Sequence, residues 1–70
     1  MNIKPNKPNS VSTYWKERRD TPLRKGGWEL WAQHLTSTEV DTLIGDGATI
    51  AEAMAAARKY LQVNHPDRHL

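Results

Sequence analysis

Three histidines, His34, His65 and His69, are the side chains best suited to hold a metal, and no cysteine is present to join them. His65 and His69 stand four apart, one helical turn, but Pro66 between them breaks the helix that would align their rings. The spacing predicts neither a metal nor any other cofactor. Ser10, Ser12 and Ser37 lack a nucleophile elbow, and the carboxylates are scattered along the chain. Gly45-Asp46-Gly47 precedes a helix start, yet it lacks the glycine and lysine that complete a phosphate cradle, and Asp46 would repel phosphate. A chain of 70 residues buries only about 60% of the surface its unfolded form exposes, which leaves little interior for a catalytic constellation. The expectation is a protein that is not an enzyme.

A second group of residues favours recognition. Tyr14, Trp15, Lys16, Arg18 and Arg19 lie together, with Arg24 and Lys25 a few residues on and Trp31 beyond them. Aromatic and arginine side chains dominate protein-binding hot spots, and the same mixture stacks on unpaired bases while cations track phosphates. These eight residues are the candidate partner-binding set. The charge layout sharpens the choice between partners. Lys4, Lys7 and the five cations from Lys16 to Lys25 face only Glu17 and Asp20, whereas residues 28 to 57 hold five acidic side chains and no lysine or arginine. A body of that sign repels a polyanion, so a protein partner is expected ahead of nucleic acid, with charge steering association and fixing orientation.

The elements that must position this set follow from periodicity. Val11 to Arg18 alternates, with Val11, Thr13 and Trp15 on one side and Ser12, Tyr14, Lys16 and Arg18 on the other. Residues 20 to 27 collect turn and breaker types, which predicts a reversal longer than a tight hairpin. Trp28, Leu30 and Ala32 alternate with Glu29, Trp31 and Gln33 in a second strand to about His34. Leu35 to Thr38 makes a second reversal, and Val40 to Ile44 a third strand. The competing reading is all-α, with three short helices, because Trp28, Trp31, Ala32 and Leu35 also fit helical spacing and Thr36 with Glu39 has the spacing of a capping box. The expected fold is therefore α+β: a small antiparallel sheet of two or three strands packed on one C-terminal helix. That helix begins at Thr49, whose hydroxyl pairs with Glu52 as a capping box, after Gly45, Asp46 and Gly47 have broken the preceding element. Ile50, Met54, Ala57 and Leu61 form the stripe predicted to face the sheet, and Pro66 ends the helix by Asn64 or His65.

The flanks read differently from the body. Lys-Pro-Asn occurs twice between Lys4 and Asn9, so residues 1–10 are expected to form a disordered basic arm, residues 11–64 a single domain and residues 65–70 a flexible tail. Hydrophobic residues make up 37% of the chain and charged ones 26%, a soluble globular balance with no run of about 20 apolar residues for a membrane span. Met1 to Ser12 carries Asn, Lys and Pro in place of a secretory signal's apolar core, and a chain without cysteine suits a reducing compartment. A monomeric cytoplasmic protein is expected.

Two resemblances narrow the expectation. The basic arm, small sheet and Ala-rich helix, with the order ending Gly47-Ala48-Thr49-Ile50-Ala51-Glu52-Ala53, resemble small bacteriophage proteins that inhibit host RNA polymerase and, more distantly, anti-CRISPR proteins. That resemblance implies a non-enzymatic regulator that binds a host protein complex and inhibits transcription. Separately, Ala56, Arg58 and Lys59 followed by His65, Pro66, Asp67 and Arg68 look like the second helix and His-Pro-Asp loop of J-domain cochaperones, which implies an Hsp70-interacting fragment. Nucleic-acid binding through the basic aromatic patch is the remaining alternative.

Overall fold

The computed structural model describes residues 10–36 and 40–70. Three strands, β1 (Ser12–Arg18), β2 (Gly27–Gln33) and β3 (Thr42–Gly47), form an antiparallel sheet in the order β1-β2-β3, and one helix, α1 (Ile50–Asn64), follows. The fold is α+β, as the alternation predicts. The all-helical alternative fails because Trp28–Ala32, the bulk of the stretch that fits both periods, is paired on both sides as the central strand. Leu30 and Ala32 are buried toward the helix, while Trp31 and Glu29 point the other way. His34 then takes a positive φ of 57°, a left-handed turn that ends the strand.

The third strand differs most from its prediction. Gly45, Asp46 and Gly47 were expected to break the chain, but they are the second half of β3 and pair with Leu30, Glu29 and Trp28. Glycine is depleted in strands because it packs nothing, and here that absence is the requirement: a Cβ on Gly45 would collide with the Ala53 carbonyl and sit 2.8 Å from the Ala57 Cβ. The helix thus lies against β3 at glycine distance. The pairing also slips at Ile44, since Leu30 opposes Gly45 while Trp31 opposes Leu43. The surplus residue forms a bulge that puts two consecutive residues, Ile44 and Gly45, on the buried side.

This close approach also selects the helix face. Ala53, Ala57 and Leu61 are buried, at 0%, 0% and 2% exposure, whereas Ile50, expected on the stripe, is 47% exposed. Small side chains win the seam because the strand opposite offers glycine. Met54 and Tyr60 flank it and pack with Trp15 against a core of Val11, Leu30, Ala32, Leu35, Ile44, Ala57 and Leu61. Both ends of α1 follow their residue types. Thr49 Oγ1 accepts from the Glu52 N–H at 3.1 Å, and Glu52 reaches back to accept from Ala48 N–H at 2.9 Å. His65 caps the C-terminus, its N–H donating to the Leu61 carbonyl at 2.7 Å, just before Pro66.

Residues 65–70, expected as a flexible tail, turn through an Arg68 N–H to His65 carbonyl bond and return to the sheet. Val11 N–H donates to the His69 carbonyl at 2.9 Å, so Ser10 and His69 form a parallel bridge at the start of β1. The rest of the predicted N-terminal arm, residues 1–9, lies outside the described residues. Among those described, no helix is long and apolar enough to cross a membrane.

Candidate docking face

The helix covers one side of the sheet, and among the described residues no element covers the other. The register places Tyr14, Trp31 and Leu43 in one row across all three strands of this outer face, and Lys16, Glu29 and Asp46 in the next. Directly opposed residues share a face, so alternation in β1 and β2 carries Tyr14, Lys16, Arg18 and Trp31 to it together. Lys16 lays its ammonium over the Trp31 ring, with Nζ 4.5 Å from the centroid and 6.0 Å from that of Tyr14. Trp31 Nε1 donates to Glu29 Oε1 at 3.0 Å, which ties the indole to a residue of its own strand.

The cations do not all stand free. Arg18 Nη1 donates to Asp46 Oδ1 at 2.6 Å and to Glu29 Oε2 at 3.3 Å, and its side chain is only 19% exposed. Asp46 in turn takes Arg24 Nη2 at 3.4 Å. The bond to Asp46, and then that to Glu29, holds the Arg18 pKa above its ordinary value despite the opposing effect of burial. At the other end of the face Tyr14 donates its hydroxyl to Asp41 Oδ2 at 2.5 Å, and that bond, with smaller contributions from burial and the carboxylate charge, raises the phenol's pKa. Among the described residues no ion pair engages Lys16, Arg19 or Lys25.

Trp15, grouped with the cations in the sequence, belongs to the opposite side. Odd-numbered residues of β1 face the helix layer, and Trp15 packs edge-on to Trp28 at 6.4 Å and 87° while touching the core. Arg19, Arg24 and Lys25 sit in the connection from β1 to β2. This loop contains a two-residue turn, Pro22-Leu23, closed by reciprocal Thr21 and Arg24 backbone bonds, and the Asp20 carboxylate accepts the Gly26 N–H. Leu23, at its tip, is 97% exposed.

No protein family, curated protein or solved structure matches this chain. The functional reading therefore rests on geometry. Among the described residues no three metal-ligating side chains come together. His65, Pro66 and Asp67 occupy the turn after α1, with the His65 ring tilted against Tyr60 at 6.1 Å. Sequence reading missed Leu43, Asp41, Glu29 and Asp46 as members of the outer face. For Glu29 the alternation of β2 was already a usable signal. For the other three, the bulge at Ile44 puts odd residues outward before it and an even residue outward after it, which hides the period of two.

Proposed function

We propose that this protein is a non-enzymatic regulator that docks on a partner protein through the outer face of its sheet. One observation carries the reading: the Tyr14–Trp31–Leu43 row spans three strands on the side the helix leaves bare, with charges arranged at its margins. An aromatic and apolar centre inside a polar rim is the composition of binding hot spots. Carboxylates from β2 and β3 already neutralise Arg18 and Arg24, which leaves fewer cations to follow a phosphate backbone and favours protein over nucleic acid. The narrower form of the proposal, inhibition of a host RNA polymerase, comes from the resemblance in size and layout and names the first target to try.

Immobilised protein incubated with nuclease-treated bacterial lysate tests both levels. Polymerase subunits are expected on the wild type, and Trp31→Ser combined with Leu43→Ser is expected to reduce their retention at least tenfold, whereas Val63→Ser on the exposed helix side leaves it unchanged. Equal retention by the wild type and both variants refutes the outer face. Retention that appears only when nucleic acid is restored, and collapses with salt, moves the assignment to nucleic-acid binding. Loss on His65→Gln alone moves it to an Hsp70 ligand.

A further inference from the structure

The edge of β1 has outward backbone groups that no other segment among the described residues meets. Val11 N–H points away from β2 to reach His69, and successive residues of a strand alternate in direction. The outward groups farther along are therefore those of Thr13, Trp15 and Glu17, and among the described residues none of them meets another segment. The opposite edge is guarded. β3 is shorter and interrupted by its bulge, both of which discourage pairing, while β1 runs seven residues without interruption.

The side chains along this edge specify what would pair with it. On the inner side α1 lies across β3 and β2 and does not extend over β1, so the half-buried Trp15, edge-on to Trp28, has a flank that a neighbouring apolar side chain would cover. On the outer side the next position along β1 is Lys16, which no carboxylate among the described residues pairs with. A strand lying beside β1 would meet one apolar position, Trp15, and next to it one cationic position, Lys16, with Thr13 and Glu17 flanking the indole on the inner side. We propose that the β1 edge receives an extended segment of a partner protein as a fourth strand, and that the segment sets an apolar residue beside Trp15 and an acidic residue beside Lys16. Backbone bonds supply the attachment and these two side chains the selectivity. This deepens the protein-partner reading above and rests on it.

A capped seven-residue peptide alternating Asp and Val is the probe, with a Lys-Val peptide as its counterpart. Titrated into isotopically labelled protein, the Asp-Val peptide is expected to shift the amides of Thr13, Trp15 and Glu17 and the Trp15 indole, and to bind at least tenfold tighter than the Lys-Val peptide. Thr13→Pro removes one outward donor and leaves the bonds to β2 intact, since edge strands accept proline where the N–H faces solvent. It is expected to weaken binding at least tenfold, with folding confirmed by an unchanged circular dichroism spectrum. Lys16→Glu, a surface change that keeps the edge, is expected to reverse the preference between the two peptides. Binding unaffected by both substitutions, shifts confined to other residues, or the same amides moving with protein concentration alone would each overturn the proposal, the last by giving the edge to a second copy. In the lysate experiment, retention that survives Thr13→Pro but not Trp31→Ser with Leu43→Ser overturns strand addition and leaves the outer-face reading standing. Loss in both supports both.

Discussion

Replacing Gly45 by alanine adds one methyl group at the point where the helix lies closest to the sheet. Gly45 does not have a positive φ, so alanine can adopt its backbone conformation without strain, and the outcome depends on space alone. The new Cβ would meet the Ala53 carbonyl, part of the helix backbone, and stand 2.8 Å from the Ala57 Cβ. Neither neighbour is the end of a flexible chain that can swing aside. Forcing a methyl group into a packed interior costs about 1–3 kcal/mol, and the rigid backbone contact places this case in the upper half of that range. Without the contact, the same change would stabilise by about 0.4–1 kcal/mol, because alanine restricts the unfolded chain. The sign of the effect therefore decides the question. A chain of 70 residues has a total stability of about 4–10 kcal/mol, so a loss of about 2–3 kcal/mol lowers the melting temperature by roughly 10–20 °C. Urea unfolding followed by tryptophan fluorescence should show the midpoint falling by roughly 2 M at a slope of about 1 kcal/mol per molar. A midpoint that stays put or rises would show that the helix does not lie at glycine distance.

Two further outcomes follow from the ends of the helix and the rim of the outer face. Thr49→Ala removes the acceptor of the Glu52 N–H and should cost about 1 kcal/mol in thermal or urea unfolding, and adding Glu52→Ala should cost less than the sum of the single changes, because the two side chains act as one box. In a Tyr60→Phe background, absorbance at the tyrosinate band should place the Tyr14 midpoint above the ordinary value near 10, and Asp41→Asn should bring it down. A raised pKa in the folded state means that the Tyr14–Asp41 bond contributes stability fully present below pH about 10 and lost as pH rises through the folded midpoint, so the Asp41→Asn variant should lose its stability deficit in strong alkali.

The features of this fold that were legible in the sequence are those set by neighbours close along the chain. The alternation of Trp28, Leu30 and Ala32 with Glu29 and Trp31 is a local pattern, and so is the Thr49–Glu52 spacing; both appear in the structure at their predicted places. What escaped is set by contacts between distant segments. Gly45 and Gly47 look like breakers until the helix that needs their missing side chains is beside them. Ile50 fits the apolar stripe by spacing, yet the seam follows Ala53 and Ala57 because they face those glycines. The candidate site divides the same way. Tyr14, Lys16, Arg18 and Trp31 share a face by alternation alone, while the pairing of Arg18 with Asp46, 28 residues away, depends on two strand registers that no local pattern encodes.

The surplus residue in β3 bears on how this gene can change length. Losing the codon for Ile44 would leave Gly45 opposite Leu30 and Leu43 opposite Trp31, so every remaining residue of the strand would keep its side of the sheet and the loss would be one core side chain. Losing Leu43 instead would tend to exchange inside for outside along part of the strand, and losing Gly45 would keep the pattern but press the Ile44 side chain against Ala53 and Ala57, where even a Cβ has no room. Ile44 is the position in β3 where a one-codon deletion can be absorbed as a defect in packing without a reversal of pattern.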